Sequence, residues 1–360
     1  MGERPNAWAI WAVLNLYPPS FSGAAIQAHR LLVEIRKRGH PVRVLALAQQ
    51  ESESLAGRTV ERDGISVTYV PVDFNIRWEA FTGSSALRKG ILYLSSVLAN
   101  LAAGLRFAWL LARGGRRGDI VQIYSVGEFS WLIAVVAAWK GMHPLLQINL
   151  VGDDDPMSIR ARARRGHIFA FLTLLSFRFA ERTVSLSSAL VRSCLADGMP
   201  PEKVIRIPVG VDIEYFRPAS GGEKAEIYHR TGLDPSRRHL LFVGEAIHRK
   251  GLDVLVEAFL RLAPVLPDVD LVIVGRSHFE GSGFGADDKN RLVADLQRRI
   301  DAAGCSERVH WTGLSRNVNE YMRIADIFFF PTRREGLPNV VAEAMASGLP
   351  VLASRLEGIT

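Results

Sequence analysis

The sequence predicts an α/β protein made of two doubly wound, parallel-sheet domains. Three observations predict it. Short apolar runs alternate with helical stretches along the chain, 360 residues exceed what one core usually serves, and a Pro/Gly/Ser cluster interrupts the pattern at Pro218-Ala219-Ser220-Gly221-Gly222. The expected domains are 1–218 and 219–360.

In the first domain the strand candidates are 9–14, 42–46, 67–70, 120–123, 145–150, 184–186 and 204–207. In the second they are 240–243, 271–274, 309–311, 327–330 and 351–353. Apolar runs this short, bounded by turn residues, read as buried strands. Helical periodicity fills most gaps, as at 24–38, 252–262 and 287–303. Strands joined through helices run parallel. Two such domains facing each other leave a cleft at the carboxyl ends of both sheets, where ligands bind. No repeat of solenoid length is present.

Composition fits this picture. Hydrophobic residues are 48% of the chain and charged residues 22%, which supports two cores and excludes global disorder. Cys194 and Cys305 are the only cysteines. They give neither a disulfide framework nor zinc spacing, consistent with a reducing compartment. The histidines show no metal spacing either. The apolar stretch 7–16 lacks a preceding basic region and a cleavage pattern, so it reads as a first strand rather than a leader. A cytoplasmic location is expected. The stretch 91–112 is the nearest thing to a membrane span, but Asn100, Arg106 and two serines disfavour it.

Charge is uneven. Residues 1–220 hold 26 Lys and Arg against 18 Asp and Glu, a balance of +8, whereas 221–360 balance at −1. Only the first half is expected to seek an acidic partner. Two basic, apolar stretches there read as membrane-surface elements, with solvated arginines over ordinary core as the competing reading. One runs from Ile91 to Arg117 and the other from Arg160 to Arg182. The expected partner is an anionic membrane face, met peripherally from the inner side. Nucleic acid is not expected, because the basic runs alternate with long apolar stretches rather than exposed aromatics.

The most informative segment lies between Glu335 and Gly348. The run 327–330 is a strand, Gly336 gives the exit turn, Pro338 suits the first helical position, and Gly348 suits the residue past the helix end. Free backbone N–H groups and a positive helix end then stand at the carboxyl edge of a sheet, which favours an anion and above all a phosphate. A second such turn follows the strand 240–243, from Gly244 to Arg249-Lys250-Gly251. There Lys250 offers a point charge and Arg249 a bidentate grip. Glu335 and Glu343 beside a phosphate site suit hydroxyl recognition.

These segments resemble retaining glycosyltransferase family 4, of the two-domain GT-B architecture. Further matching segments in family order are Pro18-Pro19 through Gly23 to Arg38-Gly39-His40, and 207–212 ending at Phe216-Arg217-Pro218. The resemblance implies transfer of a hexose from a nucleotide sugar, without a metal or other cofactor. The implied acceptor is a hydroxyl of a glycan or lipid-linked molecule. It implies that Glu335, Lys250 and Arg249 serve the reacting end. Donor contacts fall to Gly244, Gly336, Leu337, Pro338, Asn339, Val340 and Glu343, with Gly23 on the opposite side.

Three departures from the family pattern carry expectations. Glu245 stands where the family usually has an arginine, so it is expected to turn away, with Arg249 or His248 compensating. The segment 148–156 lacks a histidine common in the family, leaving Asn149 or Asp153 to meet acceptor-side hydroxyls. The aspartates Asp153, Asp154 and Asp155 read as a turn or N-cap in preference to a divalent metal site. The family also continues past Thr360, so the second domain is expected to lack closing elements. The glycine-rich run 281–285 reads as a loop near the cleft. The alternative functions are a non-catalytic nucleotide-sugar or membrane-surface protein, or an epimerase of the same architecture.

Overall fold

A computed structural model describes residues 8–20, 23–72, 86–124, 126–127, 129–278 and 286–359, with the side chains of 50–51, 86–97, 168 and 286–287 outside the description. The glycine-rich run 281–285 lies outside the described residues. The chain divides into two compact units between Gly210 and Val211. The segment 211–218, placed before the boundary on composition, packs on the second unit: Phe216 is buried in its core, with Val211 and Tyr215 against it.

The first unit contains β1 (Ile10–Leu14), α1 (Gly23–Lys37), β2 (Val42–Ala48), β3 (Thr59–Arg62), β4 (Ile65–Pro71), α2 (Ala86–Gly114) and β5 (Ile120–Ile123). There follow α3 (Ser130–Trp139), β6 (His143–Ile148), α4 (Pro156–Arg164), α5 (Ile168–Phe179), β7 (Arg182–Ser185), α6 (Ser188–Ala196) and β8 (Val204–Arg206). Its sheet has the order β3-β4-β2-β1-β5-β6-β7-β8. All pairings are parallel except β3 with β4. The antiparallel β3 is a strand the sequence reading missed. Its turn, Asp63-Gly64, has both residues at positive φ, the conformation that a tight hairpin requires.

The second unit contains α7 (Gly221–Thr231), β9 (Arg238–Val243), α8 (Leu252–Leu262), β10 (Val269–Val274), α9 (Ala286–Ala302) and β11 (Val309–Gly313). It ends with α10 (Val318–Ile324), β12 (Ile327–Phe330), α11 (Asn339–Ala346) and β13 (Val351–Ala353). Its sheet is wholly parallel, in the order β11-β10-β9-β12-β13. Both units thus have the doubly wound α/β architecture expected.

Each sheet is covered on both faces, and the period of two along its strands sorts side chains between the layers. In β1, Trp11 and Val13 enter one core while Ile10, Ala12 and Leu14 enter the other. In β9, Leu241 and Val243 face one core and Phe242 the other. Helix α8 buries Leu252, Leu255, Val256 and Phe259, the i, i+3, i+4, i+7 stripe of an amphipathic helix. Among the described residues no helix is long and apolar enough to cross a membrane.

At the amino end of β9, His239 is fully buried, and neither ring nitrogen has a hydrogen-bond partner. Burial holds its pKa below the ordinary 6.5, against the pull of Asp270 and Asp326. The neutral ring is therefore favoured in the folded chain. Below about pH 6.5 the unfolded chain takes up a proton that the folded chain resists, so this stabilising contribution falls as pH falls. The limit is about 1.4 kcal/mol per pH unit. His239→Leu should flatten the acid side of the stability curve, read by denaturant melts between about pH 7.5 and 5.5. Asp154, whose burial raises its pKa to about 6, acts in the opposite sense but is common to both proteins.

Candidate active site

In a doubly wound sheet the site lies where strand order reverses, because the loops leaving two neighbouring strands diverge there. In the second unit this point is between β9 and β12. The loop after β9 carries Gly244 to Gly251, and the loop after β12 carries Pro331 to Pro338. Both segments singled out in the sequence therefore leave adjacent strands at one carboxyl edge.

The two loops are locked together. Arg333 N donates to Arg249 O at 2.8 Å, and Thr332 Oγ1 donates to the same carbonyl at 3.1 Å. Gly251 has φ 73°, and a Cβ there would stand 1.8 Å from Pro331 O. Arg333 also forms a bidentate pair with Asp253, both contacts 2.7 Å. Beneath the turn, a Cβ at Gly275 would stand 2.0 Å from Gly244 O, and one at Gly358 would stand 2.0 Å from Gly336 O. Thr332, Arg333, Asp253, Gly275 and Gly358 thus shape the site but were not read from the sequence. Their contacts are made between distant segments, and only the glycines carry a local signal.

Glu335 Oε1 accepts from Lys250 Nζ at 2.7 Å, Arg249 Nη1 at 2.8 Å and Thr332 Oγ1 at 3.1 Å. Lys250, Arg249 and Glu335 are brought together, with a summed formal charge of +1. Lys250 Nζ also lies 5.0 Å from the centre of the Phe330 ring. Burial lowers the pKa of Lys250, Glu335 raises it and Arg249 lowers it again, with a net result below its ordinary value. Glu245 is among the charges acting on Lys250. His248 faces Asp253, Nε2 to Oδ2 3.8 Å.

Asn339 begins α11, so the positive end of this helix follows Glu335 closely in the chain. Pro338 is the N-cap rather than the first helical residue. The far end closes on Gly348 at φ 77°, with Gly348 N bonded to Met345 O and Leu349 N to Ala344 O, both 3.0 Å. Glu343 is buried in α11 with Val341 and Ala344. A buried carboxylate is rare in a helix of ordinary packing.

In the first unit strand order reverses between β1 and β5. Gly23 opens α1 there, exposed, with open space where a Cβ would sit. Phe21 and Ser22 of the same turn lie outside the described residues. Tyr17, α1 and the β3–β4 turn are linked by a relay the sequence did not reveal: Tyr17 Oη is 2.7 Å from His29 Nδ1, and His29 Nε2 is 3.1 Å from Asp63 Oδ2. Burial lowers the pKa of His29 against the charge of Asp63.

Asn149 follows β6 and uses its side chain internally. Its Nδ2 donates to Tyr124 O at 2.7 Å and its Oδ1 accepts from Gln147 at 2.8 Å. Asp153 is half-exposed and paired with Arg162 at 3.2 Å. Asp154 accepts from the backbone N–H groups of Asn149 and Leu150, both 2.8 Å. Asp155 caps α4 through Ser158 N at 3.1 Å and also accepts from Gly152 N and Ser193 Oγ. The aspartates form a turn and an N-cap.

Residues 22–210 match the family described as glycosyl transferase 4-like domain, and residues 237–360 match glycosyl transferases group 1. The chain belongs to this glycosyltransferase family. It is 31% identical over 145 residues to the lipopolysaccharide core biosynthesis mannosyltransferase LpsB of Rhizobium meliloti, covering 40% of this chain and 38% of that protein. It is 29% identical over 241 residues to a D-inositol 3-phosphate glycosyltransferase of Segniliparus rotundus, covering 65% and 49% respectively. The chain thus matches less than half the length of these two relatives.

Solved glycosyltransferases share the fold. Anabaena HepE in complex with UDP and glucose superposes with a TM-score of 0.70 at 18% identity, covering 98% of this chain and 82% of that one. WaaG, a glycosyltransferase involved in lipopolysaccharide biosynthesis, superposes at 0.63 and 19% identity, covering 97% and 82%. Two parallel-sheet α/β units in these GT-B neighbours match the class expected from the sequence.

Proposed function

We propose that this chain is a retaining glycosyltransferase that moves a hexose from a nucleoside-diphosphate sugar to a hydroxyl of a glycan or lipid-linked acceptor. The observation that carries the reading is the cluster of Lys250 and Arg249 on Glu335, at the strand-order reversal and closely followed in the chain by the α11 N-terminus. Family membership and the UDP complex of HepE support it.

The chemistry places positive charge where the leaving group gains negative charge. Before the donor arrives, Glu335 holds the two cations side by side. An incoming diphosphate competes for Lys250 and Arg249, and the first-turn N–H groups of α11 add to their pull. This frees the Glu335 carboxylate to accept from sugar hydroxyls near the reacting carbon. Glu343 takes the ribose hydroxyls as a bidentate acceptor.

The acceptor oxygen then bonds to the anomeric carbon on the face the diphosphate leaves. The carbon–oxygen bond to the diphosphate breaks, and its oxygen takes the acceptor's proton. No separate base is required, and configuration is kept. Stabilising the developing diphosphate charge is the protein's main contribution. The two cations and the helix end supply that charge, so turnover is expected without a divalent metal. A lipid-linked acceptor accords with work at the inner face of the cell membrane, the chain being cytoplasmic and peripheral. The basic stretches 91–117 and 160–182 are the surfaces concerned.

Thermal shift with UDP, GDP and ADP sugars, in chelator, tests the donor site. One donor at a hundredfold excess over its Kd should add about 2.7 kcal/mol. Glu343→Ala should abolish the shift, and Lys250→Ala should reduce it. No shift from any donor in a folded sample would sink the reading. A changed sugar recovered without transfer would instead identify an epimerase.

A further inference from the structure

Helix α2 carries an apolar stripe on the side away from its core. Its inner side is complete: Ala103, Phe107 and Leu111 are buried, and a Cβ at Gly104 would stand 2.5 Å from Phe129 Cβ. On the outer side Leu98, Leu101, Leu105 and Trp109 are all exposed. At 3.6 residues per turn these four fall within roughly 80° of arc. The stripe is therefore not core, and it is too regular to be scattered surface apolarity.

The stripe ends in a basic, aromatic corner. The Arg113 guanidinium lies 5.4 Å from the centre of the Trp109 ring. Trp139, the last residue of α3, is 82% exposed. Lys140 Nζ donates to Ala112 O, and a Cβ at Gly141 would stand 3.1 Å from Arg117 Cγ, so the ends of α2 and α3 lie side by side. Residues 86–118 contain six Lys and Arg and no Asp or Glu, and 129–152 contain no acid at all. Asp119 turns inward, accepting from Trp11 Nε1 at 3.1 Å and from Ala9 N and Arg116 N, both 2.9 Å. Glu181 is held by His143 at 2.5 Å.

We infer that this corner of the first unit seats on an anionic lipid bilayer. Leu98, Leu101, Leu105, Trp109 and Trp139 enter the headgroup layer, and Arg113, Arg116 and Arg117 meet lipid phosphates. Exposed tryptophans beside cations, with no acid among the described residues beside them, are the chemistry of an interfacial surface. A second copy fits worse, because a two-fold contact would set the same arginines against themselves. The inference rests on the membrane-side reading above and narrows it to one of two surfaces. In the other stretch Arg160 is held by Asp197 at 2.5 and 2.8 Å and Arg162 by Asp153 at 3.2 Å, so those charges already have partners.

The test is co-sedimentation of the full chain with phosphatidylglycerol-containing vesicles, against phosphatidylcholine alone, at low and high salt. Binding to the anionic vesicles, weakened by salt, is expected. Arg113→Gln/Arg116→Gln/Arg117→Gln should weaken it about fivefold per charge at low salt. Trp109→Ala/Trp139→Ala should weaken it and remove the blue shift of tryptophan emission on binding. These side chains are exposed, so the variants should keep the wild-type melting temperature and donor-induced shift.

If wild type stays in the supernatant at low salt, both this inference and the membrane-side reading fall. If it binds but only Arg164→Gln/Arg165→Gln/Arg178→Gln weakens binding, this inference alone falls. If the tryptophan variant instead turns a soluble dimer into a monomer without changing sedimentation, the surface is a self-contact and the inference is overturned. Donor binding measured on the same samples separates all of these outcomes from failure of the transferase reading.

Discussion

Lys250→Ala is expected to lower turnover by about 10²–10³-fold, measured as kcat with the donor that gives the thermal shift. Lys250 Nζ is 2.7 Å from Glu335 Oε1, and burial has already lowered its pKa. A partly desolvated ammonium interacts more strongly with a developing phosphate charge than a solvated one would. In the proposed transfer the charge on the diphosphate grows as the sugar–diphosphate bond breaks, so kcat should fall more than donor KM rises. Arg249 cannot make good the loss, because its Nη1 is also bonded to Arg334 O at 2.9 Å. Lys250→Arg should recover only part of the activity, since a planar fork replaces a compact ammonium. Activity within threefold of wild type in Lys250→Ala would show that the ion pair with Glu335 is merely structural.

How far the sequence foretold this site depends on how local each signal is. Strand β12, strand β13 and helix α8 have the observed bounds 327–330, 351–353 and 252–262 that their residues predicted. Each is written in a short window: a phenylalanine run, an apolar triplet after Pro350, and a heptad stripe behind Gly251. The exit turns after β9 and β12 were equally legible, because glycine and proline mark them. Strand β3 was not, because Thr59-Val60-Glu61-Arg62 forms a polar edge with a half-buried pattern. Only Asp63-Gly64 announced its hairpin. The contacts that set the site's shape were also hidden. Tyr17 reaches Asp63 through His29, and Gly358 backs onto Gly336; both links join residues far apart in sequence. Asn149 shows the converse. A residue type suited to sugar hydroxyls uses its amide to tie β6 to Tyr124.

The second large effect is expected at Gly251, where packing and the proposed chemistry meet. Its φ of 73° costs an L-residue about 1–2 kcal/mol. The clash of a Cβ with Pro331 O, built at 1.8 Å, adds about 1–3 kcal/mol of overpacking. The carbonyl it meets is backbone, so no rotamer change relieves the clash. Gly251→Ala should therefore destabilise the chain by about 2–5 kcal/mol and lower the melting temperature by roughly 5–15 °C.

Relief by backbone shift would part the two loops, breaking the bonds from Arg333 N and Thr332 Oγ1 to Arg249 O. Lys250 and Arg249 would then leave Glu335, so turnover should fall together with stability. Gly23→Ala provides the contrast. Nothing lies within 4 Å of its Cβ position, and it opens a helix, where alanine is favoured. Its melting temperature should hold or rise, while donor KM rises if the donor needs close approach of that backbone. An unchanged melting temperature in Gly251→Ala would mean that the loops after β9 and β12 do not touch as described.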